Sequence, residues 1–157
     1  MSEDHCKVVE LLIAKGCNIE ARTNDGANPL YLASVKGHCD IIDLLTSKGC
    51  NLEQATINGS TALHYSCLEN KYSATELLIS KGCNIEVRTN EGATPLLLAS
   101  ENGHCDIIDL LISKGCNLDQ PNDKGHTALH ASCQGGHHKV AELLISKGSH
   151  IEARNNL

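Results

Sequence analysis

Apolar and polar positions along this chain recur as a block. Pro29-Leu30-Tyr31-Leu32-Ala33-Ser34 is a short apolar run that gives way to polar residues near Gly37. Ile41, Ile42, Leu44 and Leu45 follow at a spacing that puts one apolar stripe on a helix. Lys48 suits the negative end of that helix, and Gly49 can take the left-handed conformation that closes it. Cys50 to Gly59 is polar and turn-rich. The next apolar run opens at Ala62, so the pattern predicts helix, turn, helix and long loop, then the same again.

The period is fixed. Lys-Gly stands at 15–16, 48–49, 81–82, 114–115 and 147–148, always 33 residues apart, and Gly26, Gly59, Gly92 and Gly125 keep the same interval. Counting from Thr23 gives full windows 23–55, 56–88, 89–121 and 122–154, with 1–22 as a partial leading unit and 155–157 as the start of another. Windows one and three are near-duplicates, and two and four resemble each other more than their neighbours, a 66-residue super-period. Asn28, Thr61, Thr94 and Thr127 are N-cap residues, and Pro29 and Pro95 suit the first helical position, where an N–H would be unpaired anyway. Two helices this short are marginal in water, so each unit needs its neighbours to bury its apolar face. The expected fold is all-α: a solenoid of stacked helix-turn-helix units with loops between them, one array over 1–157.

Gly59-Ser60-Thr61-Ala62-Leu63-His64 and Gly92-Ala93-Thr94-Pro95-Leu96 resemble the G-x-T-P-L-H signature of the ankyrin repeat. Gly103-His104, Leu110-Leu111 and Gly115 extend the resemblance at the same spacing, over essentially the whole chain. It departs at Thr23, Thr56, Thr89 and Asn122, where aspartate is usual; at Ala62 and Ala128 for proline; at Tyr31 and Leu97 for histidine; and at Asn70-Lys71 for Gly-His. The resemblance implies hairpin-like loops projecting from stacked helix pairs. It also implies a non-catalytic scaffold that binds a partner protein through loop tips and the concave inner-helix face. The alternative is a regulatory or targeting segment of a larger enzyme, channel or ligase-adaptor protein.

Composition narrows the partners. Thirteen basic against nineteen acidic residues give a net charge of −6, the wrong sign for a surface that neutralises nucleic-acid phosphates. With no Trp, no Phe and three Tyr, stacking on aromatic platforms is a poor prospect. No apolar run approaches the roughly 18 residues of a membrane span, and the acidic start is unlike a signal peptide. Nine cysteines, an odd number, fit a reducing cytoplasmic or nuclear setting better than a disulfide framework.

Residues able to carry chemistry have repeat-level duties. His64 and His130 are expected to tie helix starts to nearby backbone, and His5, His38, His104 and His137 to satisfy open amides of the second helix. His64-x-x-Cys67 and His130-x-x-Cys133 each put two ligand types on one helix face. The pairs lie two units apart, about 20 Å at a packing distance of about 10 Å, so they cannot share a zinc ion. Cys17, Cys50, Cys83 and Cys116, like Cys67 and Cys133, fill positions that need a small residue, and Cys6, Cys39 and Cys105 are expected to be more exposed. Lys15 to Lys147 and Glu20, Glu53, Glu86, Asp119 and Glu152 form two charge ladders, expected as solvated faces. No catalytic, cofactor or metal residue is assigned.

Partner-facing candidates are the positions that vary while the frame holds. In the loop tips these are Asn24, Asp25, Ile57, Asn58, Asn90, Glu91, Asp123 and Lys124. After the first helix they are Val35, Lys36, Leu68, Glu69, Glu101, Asn102 and Gln134. Ile57, Leu68 and Val35 are expected to form an apolar anchor across windows one and two. Neither end carries a polar cap, so the natural chain is expected to be longer, or copies to associate end to end through the uncapped terminal repeats.

Overall fold

The computed structural model describes residues 2–151, with side chains from residue 5 onward; the unit expected to start at 155–157 lies outside them. Among the described residues are nine helices and no strand. They are α1 (Ser2–Ala14), α2 (Pro29–Lys36), α3 (Cys39–Ser47), α4 (Ala62–Leu68), α5 (Tyr72–Ser80), α6 (Pro95–Glu101), α7 (Cys105–Ser113), α8 (Ala128–Gln134) and α9 (His138–Ser146).

Local chemistry sets the helix ends. Asn28 has extended backbone, φ −103° and ψ 173°, and its Oδ1 accepts the Tyr31 N–H at 2.9 Å, which starts α2. Thr94 opens α6 the same way, accepting from Leu97 N–H at 3.2 Å, with Pro95 at the first helical position. At α3 the Cys50 N–H bonds Leu45 O and the Gly49 N–H bonds Thr46 O, with Gly49 at φ 80°, a closure of the Schellman type. The turn between paired helices uses left-handed Gly37, Gly103 and Gly136. In the second unit Asn70 holds that place at φ 53°, because asparagine visits this region at lower cost than other side chains.

Once formed, the helices pack in two rows. α2, α4, α6 and α8 lie side by side as an inner row, and α1, α3, α5, α7 and α9 as an outer row, each inner helix against its own outer partner. One apolar core runs between the rows from Leu30 through Ile42, Leu63, Leu78 and Ile108 to Leu144. Each such side chain contributes about 1.5–3 kcal/mol of burial. At the ends the core opens: Val8 and Leu11 on α1, Ile145 on α9 and Ile151 beyond it stand exposed.

Between the helix pairs, loop tips join by main-chain hydrogen bonds. Ile57 N–H donates to Asp25 O, Asn90 N–H to Asn58 O, and Asp123 N–H to Glu91 O, each at 3.0 Å. These bonds draw each tip glycine against the next hairpin. A Cβ on Gly59, already at φ 78°, would stand 2.5 Å from Asn90 N. Gly115 is also left-handed, at φ 84°, but open space surrounds it. Gly115→Ala is therefore expected to cost about 1 kcal/mol of backbone strain. Gly59→Ala is expected to cost at least about 1 kcal/mol more, from overlap that backbone cannot relieve. Urea denaturation of the two variants checks the difference.

Candidate functional site

Most polar residues with chemical potential are occupied in joining one unit to the next. His64 has no solvent-exposed surface. Its Nδ1 accepts the Thr61 N–H at 3.1 Å, closing a reciprocal cap on α4, while its Nε2 lies 3.1 Å from Ala93 O in the following unit. A carbonyl can only accept, so Nε2 carries the proton and the ring is neutral. Burial lowers the His64 pKa, against smaller opposing effects from its backbone hydrogen bonds. With both ring nitrogens engaged, His64 has none to offer a metal beside Cys67. Among the described residues no group of three or more His, Cys, Asp or Glu is placed to hold an ion.

Two sequence expectations need correction. His104 and His137 do not satisfy amides of their own helices. Their Nε2 atoms donate to Leu68 O and Glu101 O, both at 2.9 Å, at the end of the inner helix one unit back. Nor is the acidic ladder a merely solvated face. Glu20, Glu53 and Glu86 each accept, through Oε1, the main-chain N–H of Asn51, Asn84 and Asn117 at 2.6–2.7 Å. Each asparagine Oδ1 in turn accepts the N–H two residues on, at 3.0 Å, so carboxylate and amide alternate along the outer edge. Asp119 continues the series by accepting His150 N–H at 2.9 Å. Glu152 lies outside the described residues.

Four of the thiols are held in the poorly nucleophilic protonated form. All nine are free. Burial, with smaller effects from neighbouring charges, pushes Cys67, Cys83 and Cys116 up to about 12 and Cys50 to about 11. Cys67 fills a small core position as expected, but its counterpart Cys133 is exposed, and Cys6, Cys39 and Cys105 are only half-buried.

What the frame leaves over lies on the loop tips and inner helices. Of the fifteen partner-facing candidates, Val35 and Leu68 are half-buried and the rest exposed. Some tip side chains are already engaged: Asn90 Nδ2 donates to Ile57 O at 2.8 Å, and Arg88 pairs with Asp123 at 3.2 Å. Two adjoining clefts organise this face. One, of about 370 Å³, lies among Asp25, Tyr31, Leu32, Ile57 and Tyr65. The other, of about 350 Å³, lies among Asn58, Tyr65, Leu68, Glu91 and Leu98. Tyr65 and Asn58 belong to both, so the clefts form one groove across the first three units. The rings of Tyr31 and Tyr65 stand 4.7 Å apart between centroids. Ile57 is 62% exposed and Leu32 50% exposed. Val35 lines neither cleft, and Lys124 and Gln134 lie in the fourth unit, beyond both.

The floor residues Leu32, Tyr65 and Leu98 were not among the candidates, though a signal was present. Each stands two residues after the core leucines Leu30, Leu63 and Leu96. At about 100° per residue, position i+2 points almost opposite to position i. A large apolar side chain there cannot share the core face.

A family model described as ankyrin repeats (3 copies) matches residues 1–89 and again 70–155, nearly the whole chain. No curated protein matches it.

Two consequences are measurable. Glu86→Ala removes the acceptor for Asn117 N–H and is expected to cost about 1 kcal/mol, a charged hydrogen bond discounted for partial exposure. Glu86→Gln keeps an oxygen and should cost less; urea denaturation compares the two. The second concerns acid. Because the folded-state pKa of His64 is depressed, the unfolded chain binds the proton first. The stability that a neutral His64 confers is full above its ordinary value near 6.5 and is lost as pH falls below it, towards the depressed folded value. His64→Gln keeps a side chain able to close the cap. Its stability should therefore decline less steeply than wild type between pH 6.5 and about 5, read by thermal unfolding across that range.

Proposed function

The chain belongs to the ankyrin-repeat family, and on that footing we propose that it is a non-catalytic scaffold that docks a partner protein on its loop tips and inner helices. Ankyrin repeats are generally protein–protein interaction modules, and no helix among the described residues is long and apolar enough to cross a membrane. The observation that carries the reading is a division of labour. The repeated histidines, acids and tip glycines are used in holding unit to unit. Six of the variable positions, Asp25, Ile57, Asn58, Leu68, Asn90 and Glu91, line one groove, where Leu32 and Ile57 stand exposed without a structural need. Exposed apolar side chains beside a preformed groove are what a docking face requires. The odd number of cysteines, nine, favours a reducing compartment, the cytoplasm or nucleus, as the place of action.

Leu32→Asp combined with Ile57→Asp tests the proposal, since neither side chain contributes to the core. A partner recovered by proximity labelling and then purified should bind the double variant at least about tenfold more weakly, with the far-UV circular dichroism unchanged. Unchanged affinity of that purified partner removes the docking face.

A further inference from the structure

The groove has a sign and a spacing, and both bear on what fits it. Its floor is one helix position seen in successive units: Leu32, Tyr65 and Leu98, replaced by Ala131 in the fourth. Asp25 and Glu91 stand on the tip side, lining the two clefts. Glu69, just after α4, and Glu101, the last residue of α6, stand exposed at the C-terminal ends of the inner helices. None of these four carboxylates has an ion-pair partner among the described residues. Asp25 and Glu69 both lie close enough to act on the Tyr31 hydroxyl, whose pKa is raised by burial first, then by Tyr65 and these two charges. Among the nearby cations, Lys36 stands at the first unit and Lys124 at the fourth, Lys71 lies half-buried against Gly37, and Arg88 is paired with Asp123, which leaves the four carboxylates to set the sign along the groove.

Spacing comes from the stack. Neighbouring helices pack about 8–10 Å apart, so the three floor side chains repeat at about that interval. An extended chain in the polyproline II conformation rises about 3.1 Å per residue with three residues per turn, and so presents the same face about every 9 Å. Its side chains at every third position would fall in step with the floor, and the residues between them would reach the acidic rims. Aromatic-lined grooves are suited to such segments, which lose little entropy on docking.

We propose that the groove takes an extended segment of a partner protein with apolar side chains at every third position and lysine or arginine between them. The inference rests on the docking reading above and specifies its ligand. The rim carboxylates select cationic flanks and repel acidic ones, and they disfavour a nucleic-acid strand outright. The apolar residues supply the anchoring, and the rims supply the sign and a dependence on salt.

A display library of random twelve-residue peptides, panned against the intact chain, tests the inference. Enriched peptides should carry apolar residues at every third position with Lys or Arg between. A resynthesised one should lose about tenfold or more in affinity against Leu32→Asp, and a similar factor against Asp25→Lys combined with Glu91→Lys. All of these side chains are exposed, so circular dichroism serves as the folding control. Enriched peptides that depend on Leu32 but are acidic, uncharged or differently spaced overturn the assigned ligand and leave the docking face standing. If no enriched peptide responds to Leu32→Asp or Ile57→Asp, the ligand and the docking face fall together.

Discussion

Every unit in this chain is completed by hydrogen bonds that only its neighbour can supply. Three sets of such bonds recur. Tip amides meet tip carbonyls 32 residues back, as in Ile57 to Asp25. Glutamates receive the asparagine N–H 31 residues ahead. Histidines 104 and 137 reach carbonyls 36 residues behind them. Because the three sets sit on the tips, the outer edge and the inter-helix turns, neighbouring units are pinned at separate points and cannot rotate freely. The apolar core supplies the attraction, and the ladders supply the register.

Sequence reading succeeded where the determining interaction is local and failed where it reaches across units. Caps, left-handed glycines and apolar stripes involve residues within a few positions of one another, so the helix pairs were legible from Asn28, Pro29, Gly37 and the Ile41–Leu45 stripe. The acidic ladder was misjudged because Glu53 and Asn84 are distant in sequence, and a row of like charges by itself reads as solvated. The histidines at the second-helix starts were assigned to the wrong partner for the same reason. Cys133 is exposed although Cys67, its counterpart, is buried: α4, which carries Cys67, packs between α2 and α6, whereas α8 is the last inner helix among the described residues.

The candidate site was half legible. Variation against a constant frame picked out the tips, including Ile57, Asn58 and Glu91, which do bound the groove. The same criterion passed over Leu32, Tyr65 and Leu98, because large apolar residues within a helix look like core until their angle to the core leucines is considered. Burial then moved Val35 and Leu68 out of the fully exposed class. A preformed groove on a stack of recurring joints separates two demands that compete in most folds: the joints tolerate little change, and the groove positions can change without disturbing them.

The recurring joints have a consequence for how such a chain changes length. A unit joined fore and aft by the same bonds can be copied or deleted in frame, and the new neighbours meet surfaces that already match. The near-identity of windows one and three, 66 residues apart, is the mark such copying leaves when two units are duplicated together. Array length, and with it the reach of the groove, is thereby open to inheritance in whole steps, with no new interface to be invented at each one.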